Sequence, residues 1–177
     1  MDLSRIPTFA RADVFHVVVE APRGSTLKLR YEPKWEAMAV SRPLPSGVVF
    51  PYDWGFVPST SADDGDPLDA MLLWDVASYP GVVVECRAIA VLQVEQNRTN
   101  HDPSVRVRND RVMCVPLEAR RERTLTGVDA LPPRAREELE HFVHASTTLE
   151  GKDVRVIGWG DAAAALALIR RSAIPHR

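Results

Sequence analysis

Four carboxylates crowd into seven residues at Asp63-Asp64-Gly65-Asp66-Pro67-Leu68-Asp69. Two like charges about 4 Å apart repel by ~1 kcal/mol in water and by ~4 kcal/mol at an effective dielectric of 20. Acids that converge therefore need a cation, shared protons or full solvation. Hard oxygen ligands of this kind favour Mg²⁺ or Mn²⁺ over zinc. A solvated acidic turn is the plain alternative. An EF-hand loop starting at Asp64 would need glycine at its sixth position and glutamate at its twelfth. The chain has Asp69 and Asp75 there, so that reading fails. An aspartyl nucleophile in a D-x-D pair normally follows a buried apolar strand, whereas Ser59-Thr60-Ser61-Ala62 precedes this pair.

These acids need elements to hold them. Val14 to Glu20, Thr26 to Glu32, Val82 to Glu95, Arg111 to Val115 and Val154 to Trp159 read as strands, from β-branched runs or alternation with period two. The long third run is expected to bend. Loops rich in Pro and Gly separate them, notably Ser41 to Gly47 and Pro58 to Pro67. Short strands with such punctuation suggest a closed or nearly closed β structure. Pro132 and Pro133 can open a helix in which Leu139, Phe142, Val143 and Ser146 share one face. Asp161 is placed to cap a second helix, AAAALALIRR, whose terminal arginines suit the negative end of the helix dipole. Asn97 to Asp110 reads as a polar surface loop.

The chain has 177 residues, 45% of them hydrophobic and 26% charged, with a net charge of -2. Those values fit one domain spanning 1–177 and exclude a disordered or fibrous chain. They argue against a general nucleic-acid binder but not against a local cationic pocket. No apolar run reaches the roughly 18 residues that span a bilayer, and no membrane role is expected. The start, MDLSRIPTFARAD, lacks a continuous apolar stretch, so no secretory signal is expected. Cys86 and Cys114 both lie in apolar β-like runs, which fits a reducing cytosol better than a disulfide scaffold. His141 and His144 stand three apart on the expected helix without a third ligand, so they read as exposed or helix-end residues. No nucleophile elbow or Gly-rich phosphate loop is present.

The surroundings of the acidic cluster are more specific. Phe50-Pro51-Tyr52-Asp53-Trp54-Gly55-Phe56 stands upstream, and Pro80-Gly81 and Cys86-Arg87-Ala88-Ile89 follow it. With Glu20, Lys28 and Arg42 before them, these segments resemble the soluble, Mg²⁺-dependent inorganic pyrophosphatases of barrel fold. The most specific piece is D-G-D-P-L-D, matching that family's D-x-D-P-x-D signature. Gly151-Lys152 and Gly158-Trp159 fit its end. The resemblance runs from Val14 to Trp159. It implies a mainly β (α+β) fold, a small closed five-stranded OB-like barrel with two C-terminal helices. It implies Mg²⁺ as cofactor, with Asp64 and Asp69 as ligands joined by Glu20, and Asp66 taking the proton from the attacking water. Lys28, Arg42 and Arg111 match phosphate-holding positions. A cytoplasmic homo-oligomer, a hexamer as in bacterial relatives, is expected.

The same resemblance marks departures. Arg30 stands at the position of a metal-binding glutamate, and its guanidinium could sit where an ion would. Phe50 and Trp54 replace two tyrosines, Gln96, Asn97 and Asn109 replace acids, and Ser146 and Thr147 replace a Tyr-Lys pair. Glu95, Asp102 or Asp110 could fill a lost ligand position. The pocket should be more apolar and roomier, with Arg30 and the flat face of Trp54 as extra substrate contacts. Three functions follow. The first is hydrolysis of phosphoanhydrides, nominally pyrophosphate, at a weakened site. The second is a repurposed enzyme for an organic diphosphate or a specialised metabolite. The third is a silent phosphate-binding paralogue.

Overall fold

The computed structural model describes residues 2–97 and 105–175. In chain order its elements are β1 (Phe9–Arg11), β2 (Val14–Ala21), β3 (Leu27–Glu32), β4 (Ala37–Pro43), β5 (Asp53–Phe56) and β6 (Asp69–Leu72). Then come β7 (Val83–Asn97), β8 (Arg106–Arg108), β9 (Arg111–Pro116), α1 (Pro133–Thr147), β10 (Arg155–Asp161) and α2 (Ala162–Ser172). β2 pairs with β5, β5 with β6, β6 with β9, β9 with β7, and β7 again with β2. Five strands thus close into a ring, and the expected mainly β fold with two C-terminal helices is present. β3 and β4 form a separate two-stranded sheet outside the ring.

Only the β6–β9 pair of the ring is parallel. Parallel strands covered on both faces read as unbroken apolar runs, and every residue of β9 is buried. Alternate residues serve two cores. Met71 and Met113 pack with Leu139, Phe142 and Val143 of α1. Ala70, Leu72, Val112 and Cys114 pack with Ala165, Leu168 and Ile169 of α2. Leu139, Phe142, Val143 and Ser146 are the buried residues of α1, as their spacing predicts. Asp161 caps α2 by accepting a hydrogen bond from the Ala164 amide at 2.8 Å. Cys86 and Cys114 are buried free thiols. No helix among the described residues is long and apolar enough to cross a membrane.

Two expected loops are partly strand, and Ser41 to Pro43 of the first belong to β4. The segment after β7 is not loop throughout, because β8 pairs antiparallel with Glu95 to Asn97 at the end of β7. Arg106 adds side-chain bonds to this pairing: it donates to the Asn97 side chain at 3.1 Å and to Asp153 at 2.8 Å. Asp102 lies outside the described residues.

Two register shifts matter for function. Val19 pairs with Gly55 and Ala21 with Trp54, so Glu20 is the extra residue of β2. Lys28 pairs with Arg42 and Leu29 with Val40, so Ser41 is the extra residue of β4. Bulges of this kind bend a strand and re-aim its side chains. Glu20, Lys28, Ser41 and Arg42 all face one cleft.

Candidate active site

That cleft has a volume of about 460 Å³ and opens between the ring and the β3–β4 sheet. Glu20 from β2, Asp64 and Asp66 from the loop before β6, and Asp69 from β6 line it. Lys28 and Arg30 of β3, Arg42 of β4, Arg111 of β9 and Lys152 line it as well. The expected acids and cations therefore share one site. Gln96, Asn109, Thr147, Glu32 and Glu150 are also polar lining, with Ser4, Tyr31 and Ser41.

The acids carry the mark of their crowding. Burial pushes the Glu20 carboxyl up to about 7, the hydrogen bond from the Tyr31 amide opposes this, and Asp69 and Asp66 push it further up. That amide donates to Glu20 Oε1 at 2.8 Å. Asp64 is raised too, first by burial and then by Asp69 and Asp66, against a lowering bond from the Asp66 amide. Lys152 is held below the ordinary lysine value by burial and then by Lys28.

The cations are largely spoken for. Arg42 Nε lies 3.0 Å from Glu150, and Arg42 Nη2 donates to the Ser146 carbonyl at 2.7 Å. Arg30 is an exposed rim residue whose Nη2 lies 3.3 Å from Glu32. It is not a fixed guanidinium among the acids. Arg111 holds that place. It is buried, its Nη1 lies 3.1 Å from Asp69 Oδ2, and the same nitrogen donates to the backbone and side-chain oxygens of Asn109. Asp69 and Arg111 are direct partners in the parallel β6–β9 register, so strand pairing itself builds this ion pair.

Trp54 stands behind the cations. The Arg111 guanidinium lies 5.3 Å and Lys28 Nζ 5.9 Å from its ring centre. With Phe50 and Phe142 it walls a recess beside the cleft, reached by Ser146 and Thr147. The three rings lie 5.2 to 6.3 Å apart, and the recess keeps only about 20 Å³, room for about one water. The expected extra room is therefore absent there, where Phe50, Trp54 and Phe142 pack closely together.

Two of the three proposed substitute ligands, Glu95 and Asp110, do not reach the cleft. Asp110 is occupied by the Val94 amide at 2.9 Å and by Arg108 at 2.9 to 3.0 Å. Glu95 lies 3.5 Å from Arg106, and neither acid lines the cleft. Lys152 and Glu150 were the residues sequence reasoning left without a role. Their only signal was Gly151-Lys152 just before a strand. Asp53, in the middle of the upstream motif, is a buried structural acid. It accepts hydrogen bonds from the Arg23 amide at 2.7 Å, and from Trp74 Nε1 and the Ser78 amide at 3.0 Å.

The donor set suits Mg²⁺ in kind. Asp64, Asp66, Asp69 and Glu20 offer hard oxygens, and the buried Gln96 Oε1 beside them has no partner. Among the described residues, no three acids, histidines or cysteines converge into a complete ligand set. Mg²⁺ does not require one, since it keeps several waters and shares its ligands with substrate phosphates.

Known proteins resemble this chain in sequence and in fold. The family model described as "Inorganic pyrophosphatase" matches residues 17–175. A Synechocystis inorganic pyrophosphatase is 35% identical over 169 residues, 96% of this chain and 95% of that one. One from Thermus thermophilus is 36% identical over 173 residues, 96% of this chain and 94% of that one. The crystal structure of an inorganic pyrophosphatase from Thermus thermophilus superposes with a TM-score of 0.88 over 97% of both chains, at 35% identity. A Neisseria gonorrhoeae structure gives 0.85 at 27% identity, covering 97% of this chain and 96% of that one. Matched along nearly its whole length in sequence and in fold, the chain belongs to the inorganic pyrophosphatase family.

Proposed function

We propose that this protein is a Mg²⁺-dependent hydrolase of phosphoanhydrides, nominally of pyrophosphate, whose site is weakened. One observation carries the reading: Asp64, Asp66, Asp69 and Glu20 face Lys28, Arg42, Arg111 and Lys152 across a single cleft. When bound, Mg²⁺ supplies charge stabilisation at phosphoryl oxygens and a more acidic water. Asp64 and Asp69, joined by Glu20, are the residues that hold it. Asp66 accepts the proton of the attacking water. Lys28, Arg42 and Arg111 bind and orient the phosphate oxygens, and Arg30 and Trp54 edge the substrate. A cytoplasmic homo-oligomer, a hexamer, belongs to the same proposal, and family membership supports it.

The second reading is a phosphate-binding protein that turns over little. The Arg111–Asp69 ion pair favours it, because it ties up one of the proposed ligands. A phosphate-release assay on pyrophosphate and several organic diphosphates, with and without Mg²⁺, separates the two. Asp66→Asn keeps the shape and removes the base. It is expected to lower Mg²⁺-dependent turnover at least ~100-fold. Near-normal turnover in that variant refutes the role of Asp66. Tight diphosphate binding without release, in the parent protein, favours the second reading.

A further inference from the structure

We infer that Arg111 is a tethered counter-ion that closes Asp69 to divalent cations until a phosphate anion draws the guanidinium away. The inference rests on the reading of the cleft as a metal and phosphate site.

Three features of Arg111 carry it. The β6–β9 register sets it beside Asp69, and its Nη1 lies 3.1 Å from the carboxylate. The pair is shielded, with 5% of the Arg111 side chain and 18% of the Asp69 side chain exposed. Exposed pairs count for little, but a desolvated one strongly resists loss of either partner. Arg111 is also under-used. Nη1 carries the bonds to Asn109 and Asp69, while the buried Nε has no partner. The flat face of Trp54 lies behind the guanidinium. A planar cation with a spare donor, resting on a ring and opening on a cleft, is poised to move toward a phosphate.

The consequence is order. A divalent ion arriving at Asp69 in the empty cleft meets a fixed positive charge at hydrogen-bond distance from its ligand. A diphosphate gives Arg111 a better-matched partner and frees the Asp69 oxygen. Anion and cation must then raise one another's affinity by the same factor.

The test is calorimetric and needs no turnover. Mn²⁺ is titrated into the parent, Arg111→Met and Arg30→Met proteins without anion. Arg30→Met removes the same charge from the rim of the same cleft. Arg111→Met is expected to bind Mn²⁺ at least ~10-fold more tightly than either of the others. The reciprocal arm titrates methylenediphosphonate, a non-hydrolysable diphosphate, in the presence of EDTA. Asp69→Asn frees Arg111 and is expected to bind it about 10-fold more tightly than Asp66→Asn, which removes the same charge without touching Arg111. Equal Mn²⁺ affinity in the two arginine variants, with both folded by circular dichroism, overturns the inference. If Arg111→Met does not fold, the two carboxylate variants decide it alone, and equal affinity there overturns it. If no protein in the set binds Mn²⁺ or methylenediphosphonate, the proposed function falls, and the inference with it.

Discussion

Glu20 is held by its bulge between two demands. The backbone at the shift in β2 turns its side chain into the cleft, where the Tyr31 amide anchors one oxygen. Burial and the nearby Asp69 and Asp66 disfavour its charge, so its carboxyl titrates at about 7 instead of near 4.5. The folded protein therefore binds this proton more tightly than the unfolded chain does. Its stabilising effect is complete below the unfolded value and is lost as the pH rises through about 7. The whole swing is worth ~3 kcal/mol. Glu20→Gln keeps the acceptor for Tyr31 and removes the charge. In EDTA, its melting temperature should exceed the parent's at pH 8 and match it at pH 4. An equal gap at both values would show that Glu20 is not the titrating group. Such residues were visible in the sequence as types and positions. Lys28, Arg42, Asp64, Asp66 and Asp69 all reach the cleft as the resemblance implies. The partnership of Arg111 with Asp69 was not visible. It depends on the parallel pairing of two strands about forty residues apart, which no local pattern announces.

Elements show the same division. The β-branched runs of β2, β7 and β9 and the apolar face of α1 were legible, because period and residue type suffice there. Five strands were not: β1, β4, β5, β6 and β8. β5 and β6 have four residues each, β5 contains Gly55, and β4 ends in Pro43. β8 pairs with the end of β7, and Arg106 ties it to Asn97 and Asp153. In each case the paired strand, more than the local residue pattern, decides the conformation. Gly55 shows how strongly. It lies opposite Val19 in the β2–β5 ladder, and a Cβ there would overlap the Val18 carbonyl oxygen. The obstacle is backbone, so no rotamer change relieves it. Gly55→Ala should destabilise the fold by ~3 kcal/mol or more, measured by urea unfolding. A loss under ~1 kcal/mol would mean that β2 and β5 can separate there. The same ladder sets Glu20, so the variant should also weaken metal binding.

Taken over the whole molecule, the cleft is a balance of charge between two sheets. Its lining holds the cations Lys28, Arg30, Arg42, Arg111 and Lys152 and the acids Glu20, Glu32, Asp64, Asp66, Asp69 and Glu150. Three pairs cancel inside the protein: Arg30 with Glu32, Arg42 with Glu150, and Arg111 with Asp69. Lys28 and Lys152 then face Glu20, Asp64 and Asp66, and Glu20 is itself half-protonated near neutral pH. Little uncompensated negative charge remains to draw several divalent ions, so at most two are expected to bind well without substrate. Gln96→Asp adds an acid at a buried oxygen that lacks a partner. Asn109→Asp gives Arg111 a charged partner in place of an amide and so releases Asp69. Ser146→Tyr and Thr147→Lys act differently. They put bulk into a recess that Phe50, Trp54 and Phe142 already fill, and they add no metal ligand. The acid pair alone should therefore raise both Mn²⁺ stoichiometry by calorimetry and pyrophosphate turnover by phosphate release. The Tyr-Lys pair alone should raise turnover little, and all four changes together should raise it most. A parent protein that already binds three or more ions tightly, or turns over pyrophosphate on the order of 10 s⁻¹ or faster at saturating Mg²⁺, would show that this cleft does not lack the negative charge of the missing acids.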